Sequence, residues 1–157
     1  MSRLDSIMRR LAAQRDGLEW ANERTKHLSG DALDMGLGNG RTYDHMRENL
    51  VRRIWVIDRV LQCHESCIPP KADFLEGEAE AMLDKMAANG SQIVLAHYDF
   101  GFGVKDKDVA EALRLSPAIA RIMAPGGIIV SGQPLGGFTE VVGPASVAKD
   151  RYHFYAC

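Results

Sequence analysis

Three glycines at alternate positions, Gly36, Gly38 and Gly40, stand in the string Asp34-Met35-Gly36-Leu37-Gly38-Asn39-Gly40-Arg41-Thr42-Tyr43-Asp44-His45. Backbone without Cβ atoms turns sharply and lets a ligand come close. The segment from Thr42 reads as a helix, whose first amides are unpaired and carry a partial positive charge. Together these features suit a carboxylate or a phosphate. A second acid, Asp58, ends the next apolar stretch, 18 residues beyond Gly40. In nucleotide-binding α/β folds an acid there hydrogen-bonds a ribose. A dinucleotide site would show G-x-G-x-x-G/A. From Gly36 the third small residue falls on Arg41, and from Gly38 on Tyr43, so that spacing fails in both registers. A second group, His97-Tyr98-Asp99-Phe100-Gly101-Phe102-Gly103, follows an apolar stretch. Histidine titrates near neutrality and takes protons from nucleophiles. Asp99 is placed to hold a substrate amine or to orient His97.

The elements that must position these groups follow from periodicity. Residues 2–28 read as one helix, with Leu4, Ile7, Met8, Leu11 and Leu18 at helical spacing and Ser2-x-x-Asp5 as a capping box. Gly17 weakens its continuity. Strands are expected at 32–35, 54–57, 74–75, 92–97, 128–131, 138–142 and 152–156. Helices are expected at 42–50, 78–88 and 106–123, the last split at Ser116-Pro117, where Ser caps and Pro takes the first helical position. Strands alternating with helices predict an α/β domain with a largely parallel sheet. Only residues 132–137 separate two of the strands, too few for a parallel crossover. The strand at 138–142 is therefore expected to run antiparallel to its predecessor or to leave the sheet, with 152–156 pairing to it. The expected organisation is one domain over 1–157, a helical extension at 1–30 preceding an α/β core at 31–157.

The D-x-G-x-G-x-G string, Asp34, Gly36, Gly38 and Gly40, resembles the first motif of class I S-adenosylmethionine (SAM) methyltransferases. The longer G-L-G-N-G-R-T-Y-D-H is similar to a family of small single-domain bacterial members. Val56-Ile57-Asp58-Arg59 resembles that family's second strand, Leu75-Glu76-Gly77-Glu78-Ala79 its adenine-binding segment, Leu95-Ala96-His97-x-Asp99 its fourth strand and tip, and Pro125–Leu135 its fifth strand and loop. The resemblance implies a Rossmann-like fold with an antiparallel C-terminal edge, and SAM as cofactor. It implies that Asp34 and the loop through Gly36, Leu37, Gly38 and Gly40 pass the methionine and ribose portions. Thr42 and Tyr43 would meet the methionine carboxylate or flank the sulfonium. Asp58 would hold the ribose hydroxyls, with Arg59 on the adenine side. Glu78, where the family more often has Asp, and Ala79 would read the adenine edge. His97 would sit beside the cofactor or the transferred methyl.

On the substrate side, the candidates are His97 and Asp99 for catalysis, with Tyr98 and Gln133 facing the same crevice. Trp20 either covers the site from the N-terminal helix or docks that helix on the core. Cys63-His64-x-x-Cys67 lacks the four ligands of a structural zinc site, so no metal is expected. Lys plus Arg number 19 against 21 Asp plus Glu, a net charge of -2, which argues against a nucleic-acid acceptor. No apolar run reaches the roughly 18 residues of a membrane span. Three cysteines cannot all pair within the chain. A reduced, cytoplasmic protein transferring a methyl group to a small-molecule acceptor is the expectation, with a homo-oligomer compatible. The rivals are a non-catalytic SAM sensor and an NAD-dependent oxidoreductase.

Overall fold

The computed structural model describes residues 1–157. Helix α1 spans Arg3–Thr25, and β1 (Asp31–Met35) leads through the glycine turn into α2 (Arg41–Asn49). Then come β2 (Ile54–Asp58), a 3-10 turn at Glu65–Cys67, β3 (Phe74–Glu76), α3 (Ala79–Ala88) and β4 (Ile93–Tyr98). The chain closes with α4 (Lys105–Ala120), β5 (Met123–Ser131), β6 (Thr139–Glu140) and β7 (His153–Ala156). One seven-stranded sheet has the order β3-β2-β1-β4-β5-β7-β6. The first five strands in that order are parallel, and β7 runs antiparallel to both β5 and β6. This is the expected parallel core with an antiparallel edge.

One topological expectation is corrected. β6 pairs with β7 as expected, but it stays in the sheet parallel to β5 rather than antiparallel to it, two positions away with β7 between them. The short link suffices because β6 is two residues long and starts level with Ile128, so the chain returns only a little way along β5.

Side chains alternate across the sheet. Leu33, Met35, Ile57, Ala96, Tyr98 and Ile129 face α3 and α4. Ala32, Val56, Leu95, Val130 and Phe154 face α1 and α2. Gly17 does not interrupt α1. A Cβ there would meet Phe154 Cε1 at 3.0 Å and Val130 Cγ1 at 3.2 Å, so the missing side chain is what lets the helix lie close on the sheet. The N-terminus carries the expected Ser2–Asp5 capping box. At the other end the Arg52 guanidinium donates to the carbonyls of Thr25, Leu28 and Gly30, taking up acceptors that the helix end leaves free.

The buried face of α1 is Ala13, Gln14, Gly17, Leu18, Ala21 and Thr25. Of the apolar stripe read from sequence, only Leu18 is buried; Leu4, Ile7, Met8 and Leu11 are exposed. The N-terminal half of the helix runs beyond the packed face. Ile7, Arg10, Leu11 and Gln14 border a cavity instead.

α4 is also unbroken, against the expected split. Ser116 does not cap: its hydroxyl donates to the Ala112 carbonyl and accepts from the Gly136 amide. Pro117 lies inside the helix on an exposed side. Leu113, whose carbonyl loses its helical partner to the proline, is likewise an exposed residue. Pro125-Gly126-Gly127 likewise does not precede β5 but lies within it, as a register shift against β4.

Candidate functional site

The site is a cavity of about 510 Å³ at the carboxyl ends of the parallel strands, within the ordinary range for small-molecule pockets. Its floor is the turn after β1. The Gly36 amide still donates to the Ile57 carbonyl, so the chain leaves the sheet only after that residue. Gly38 has φ +50° and projects toward open space, with no atom within 4 Å of where a Cβ would stand. Gly40 has φ +87° and the opposite surroundings. A Cβ there would lie 2.4 Å from Cys67 Cβ and 3.1 Å from Cys63 Cβ. The Cys63–Cys67 segment is thus the back wall of the turn, and no three His, Cys, Asp or Glu side chains gather as a metal site.

Asp58 stands at the tip of β2. Its Oδ2 accepts from the Gly38 amide at 3.2 Å and its Oδ1 from the Arg59 amide at 2.7 Å. Two backbone donors therefore fix a partly exposed carboxylate that keeps further acceptor capacity for hydroxyls. Arg59 lies with its guanidinium 5.2 Å from the centre of the Phe102 ring, closing one side. Past β3, Glu78 occupies the N-cap of α3 without bonding the helix, and its side chain is exposed.

At the opposite end stands Asp99. Its Oδ1 accepts from Arg10 Nη2 at 2.8 Å and its Oδ2 from Gln14 Nε2 at 3.0 Å. The charge of Asp99 raises the pKa of the Arg10 guanidinium further above its ordinary value. Between Asp99 and α4 runs the 100–104 loop, anchored by Asp108, whose Oδ1 accepts from the Phe102 amide at 2.6 Å.

Of the residues singled out in the sequence, Gly36, Leu37, Gly38, Thr42, Asp58, Arg59, Glu78, Ala79 and Asp99 line this cavity. The others do not. His97 and Asp34 are register partners on adjacent strands and both 0% exposed. Their side chains share the α1 face of the sheet, with His97 Nδ1 2.8 Å from Asp34 Oδ1 and Asp34 Oδ2 unpartnered. His97 is therefore a buried companion of Asp34, walled from the cavity, rather than a strand-tip group beside a transferred methyl. Tyr152 stacks on the other side, its hydroxyl 3.4 Å from His97 Nε2.

Burial raises the pKa of the Asp34 carboxyl. Burial also opposes charge on His97, but the hydrogen bond and charge of Asp34 outweigh it and raise the imidazole. Both groups are thus shifted toward their protonated forms.

Tyr98 points to the α3–α4 face and is fully buried. Tyr43 is buried under α2, with Arg47 5.8 Å from its ring centre. Gly40 serves the turn's back wall. Trp20 docks α1, edge-on to Phe154 at 5.2 Å between ring centres. Gln133 sits in the loop after β5, its carbonyl accepting from Ser131 Oγ. The sequence reading missed Ile7, Arg10, Leu11 and Gln14, Asn39 and Arg41 on the rim, and Asp108 with Glu111. Ile7 and Leu11 stood out in the sequence only as part of the helix's apolar stripe.

The chemistry of the donor set fits an adenosyl amino acid. One end offers a fixed carboxylate for a diol and a free acid for a base edge. The middle is backbone without side chains, and the far end carries both charges.

A family model described as S-adenosyl-L-methionine methyltransferase matches residues 1–157. A crystal structure of an S-adenosyl-L-methionine methyl transferase from Silicibacter pomeroyi DSS-3 is 33% identical, with a TM-score of 0.93, covering 99% of this chain and 98% of that one. Streptomyces venezuelae DesVI superposes with a TM-score of 0.53 at 17% identity, over 85% of this chain and 58% of its own. Human methyltransferase-like protein 13, solved with S-adenosylhomocysteine (SAH), does so at 0.50 and 10% identity, over 98% and 80%. These last two speak to the fold. No curated protein matches the sequence.

Proposed function

Since this chain belongs to the S-adenosyl-L-methionine methyltransferase family, we propose that its strand-end cavity is the SAM site and that the methyl group passes to a small-molecule acceptor in the same cavity. One observation carries the assignment: Asp58, the carboxylate held by the Gly38 and Arg59 amides, borders the open glycine turn. SAM supplies an electrophilic methyl on a sulfonium. The chain's residues have the tasks of binding, alignment and exclusion of water, which govern such a displacement. Asp58 accepts from the ribose hydroxyls. Glu78 and Ala79 face the adenine edge, and Arg59 with Phe102 covers that side. Gly36, Leu37 and Gly38 let the centre of the molecule lie against backbone. Thr42 borders the same centre at the start of α2.

The acceptor is proposed to enter between α1 and the 100–104 loop, where Ile7, Leu11, Phe100 and Phe102 form an apolar border. Its proton leaves without His97, which is sealed from that space. A small acceptor accords with the net charge of -2, which is not the basic balance that favours nucleic acid. No helix is long and apolar enough to cross a membrane. The free thiols of Cys63, Cys67 and Cys157 accord with work in the reducing cytoplasm, by the chain acting as one domain.

Calorimetric titration with SAM, SAH and NAD tests the site. The adenosyl ligands bind and NAD does not. Asp58→Ala weakens SAH by about 1–3 kcal/mol, the usual loss when a charged hydrogen-bond partner is removed. Wild-type affinity in a folded Asp58→Ala variant would move the cofactor elsewhere.

A further inference from the structure

We propose that Cys63 and Cys67 are a redox-modification site: a peroxide closes them into a disulfide, and the disulfide weakens the hold of the glycine turn on its ligand. The effect on the ligand rests on the adenosyl reading of the cavity.

The two cysteines face one point. The Cβ that Gly40 lacks would stand 2.4 Å from Cys67 Cβ, 3.1 Å from Cys63 Cβ and 3.3 Å from Cys67 Sγ. The two β-carbons therefore lie within about 5.5 Å of each other, and a disulfide asks for about 3.5–4.5 Å. Little backbone movement separates the thiols from a bond. Both are free, and they sit in the 59–73 link between β2 and β3, most of which is exposed. That link can shift without unpacking the sheet. Cys63 is half-buried and open to a small oxidant. Burial raises the pKa of its thiol, and Cys67 beside it adds to the shift. Cys63 therefore rests as a thiol, in keeping with cytoplasmic cysteines that pair only transiently.

The step balances with a peroxide as the oxidant. The Cys63 sulfur attacks one peroxide oxygen, the O–O bond breaks, and the hydroxide that leaves takes the Cys63 proton as water. The Cys67 sulfur then displaces hydroxide from the sulfenic acid on Cys63, and the Cys67 proton departs with it as a second water. Two electrons pass from the sulfurs to the peroxide. The surroundings of Cys67 are polar enough to take its proton: Ser66 Oγ lies 3.7 Å from the sulfur and 2.8 Å from His64 Nδ1.

The bond is felt in the cavity because the segment is tied to the glycine turn and to the helix after it. The His64 amide donates to the Asn39 carbonyl at 3.2 Å, and Arg47 of α2 donates to the Ser66 carbonyl. Asn39 lines the cavity. Gly40, at φ +87°, is the left-handed residue from which α2 starts. It stands where the two β-carbons must approach. Drawing them together takes the space it occupies and displaces the turn.

The full chain is treated with hydrogen peroxide, mapped by peptide mass spectrometry, and titrated with SAH before and after reduction by dithiothreitol. The expected result is a bond between Cys63 and Cys67 and an SAH affinity about 5- to 150-fold lower, the ordinary span of coupling between two sites. Reduction restores it. Cys63→Ser and Cys67→Ser keep the β-carbons behind Gly40, and both hold their SAH affinity through the same treatment. Thiols that stay free, or that bond to Cys157 or to a second copy instead, overturn the proposal. So does a bond between Cys63 and Cys67 that leaves SAH affinity unchanged. Equal loss of affinity in the serine variants traces the effect to oxidation elsewhere and overturns it too. A reduced wild type that binds no SAH overturns the adenosyl reading and the coupling with it, and the mapped bond alone then decides the thiol pair.

Discussion

Valine in place of Gly38 abolishes SAH binding and leaves the chain folded. The position is open, with nothing within 4 Å of the Cβ that would be added. The added side chain therefore occupies the cavity without displacing protein atoms. The fold bears only the conformational cost of a β-branched residue at φ +50°, about 1–3 kcal/mol. For a chain of this length that lowers the melting temperature by very roughly 2–12 °C. Binding falls at least 100-fold, on the order of 2.8 kcal/mol, because the ligand must lie where the isopropyl group stands. Gly40→Ala behaves oppositely. Its methyl would stand 2.4 Å from Cys67 Cβ, a distance no packed carbon tolerates, and tightly against Cys63, so melting falls further and binding is lost as a consequence of the damaged turn. Calorimetry and thermal melts on the two variants separate the effects. A Gly38→Val protein that binds SAH like wild type would remove the cavity as the cofactor site.

His97→Ala costs stability on the scale of a broken buried ion pair, about 3–5 kcal/mol. The substitution leaves the Asp34 carboxyl fully buried beside a void. A thermal melt near pH 7 reads this as a drop of about 6–20 °C. The pair also sets a pH signature. Against the effect of burial, the hydrogen bond and charge of Asp34 raise the folded pKa of His97 above its ordinary 6.5. The stabilisation is then complete below about pH 6.5 and is lost as pH rises through the folded value. Asp34→Asn reverses the slope. Without the carboxylate a buried imidazole stays neutral, its pKa is depressed, and stability falls as pH drops below about 6.5. Melting temperatures of the wild type and Asp34→Asn between pH 5 and pH 9 test this. Parallel curves would mean that Asp34 does not raise the pKa of His97.

The local chain signalled everything that depends on backbone and neighbours in sequence. The glycine string demanded a turn that side chains could not make, and the acid at the end of β2 fell where a strand stops. The alternation of apolar stretches with helical periods carried the parallel core, and the likeness of these segments to one enzyme family carried the cofactor. None of this required knowing which residues meet across the fold.

The tertiary structure decided the rest. Asp34 and His97 became a buried pair because parallel pairing of β1 with β4 sets them opposite one another on the face under α1. Their spacing of 63 residues holds no trace of that register. Arg10 and Gln14 reach Asp99 across 89 and 85 residues, so two helix positions that the sequence did not single out border the cavity. β7 entered between β5 and β6 because strand order is settled by burial of the whole sheet, and a short link says only that two strands are near. Periodicity reports which side of an element is apolar. What that side meets, and which polar groups it seals away from water, is fixed by packing summed over the molecule.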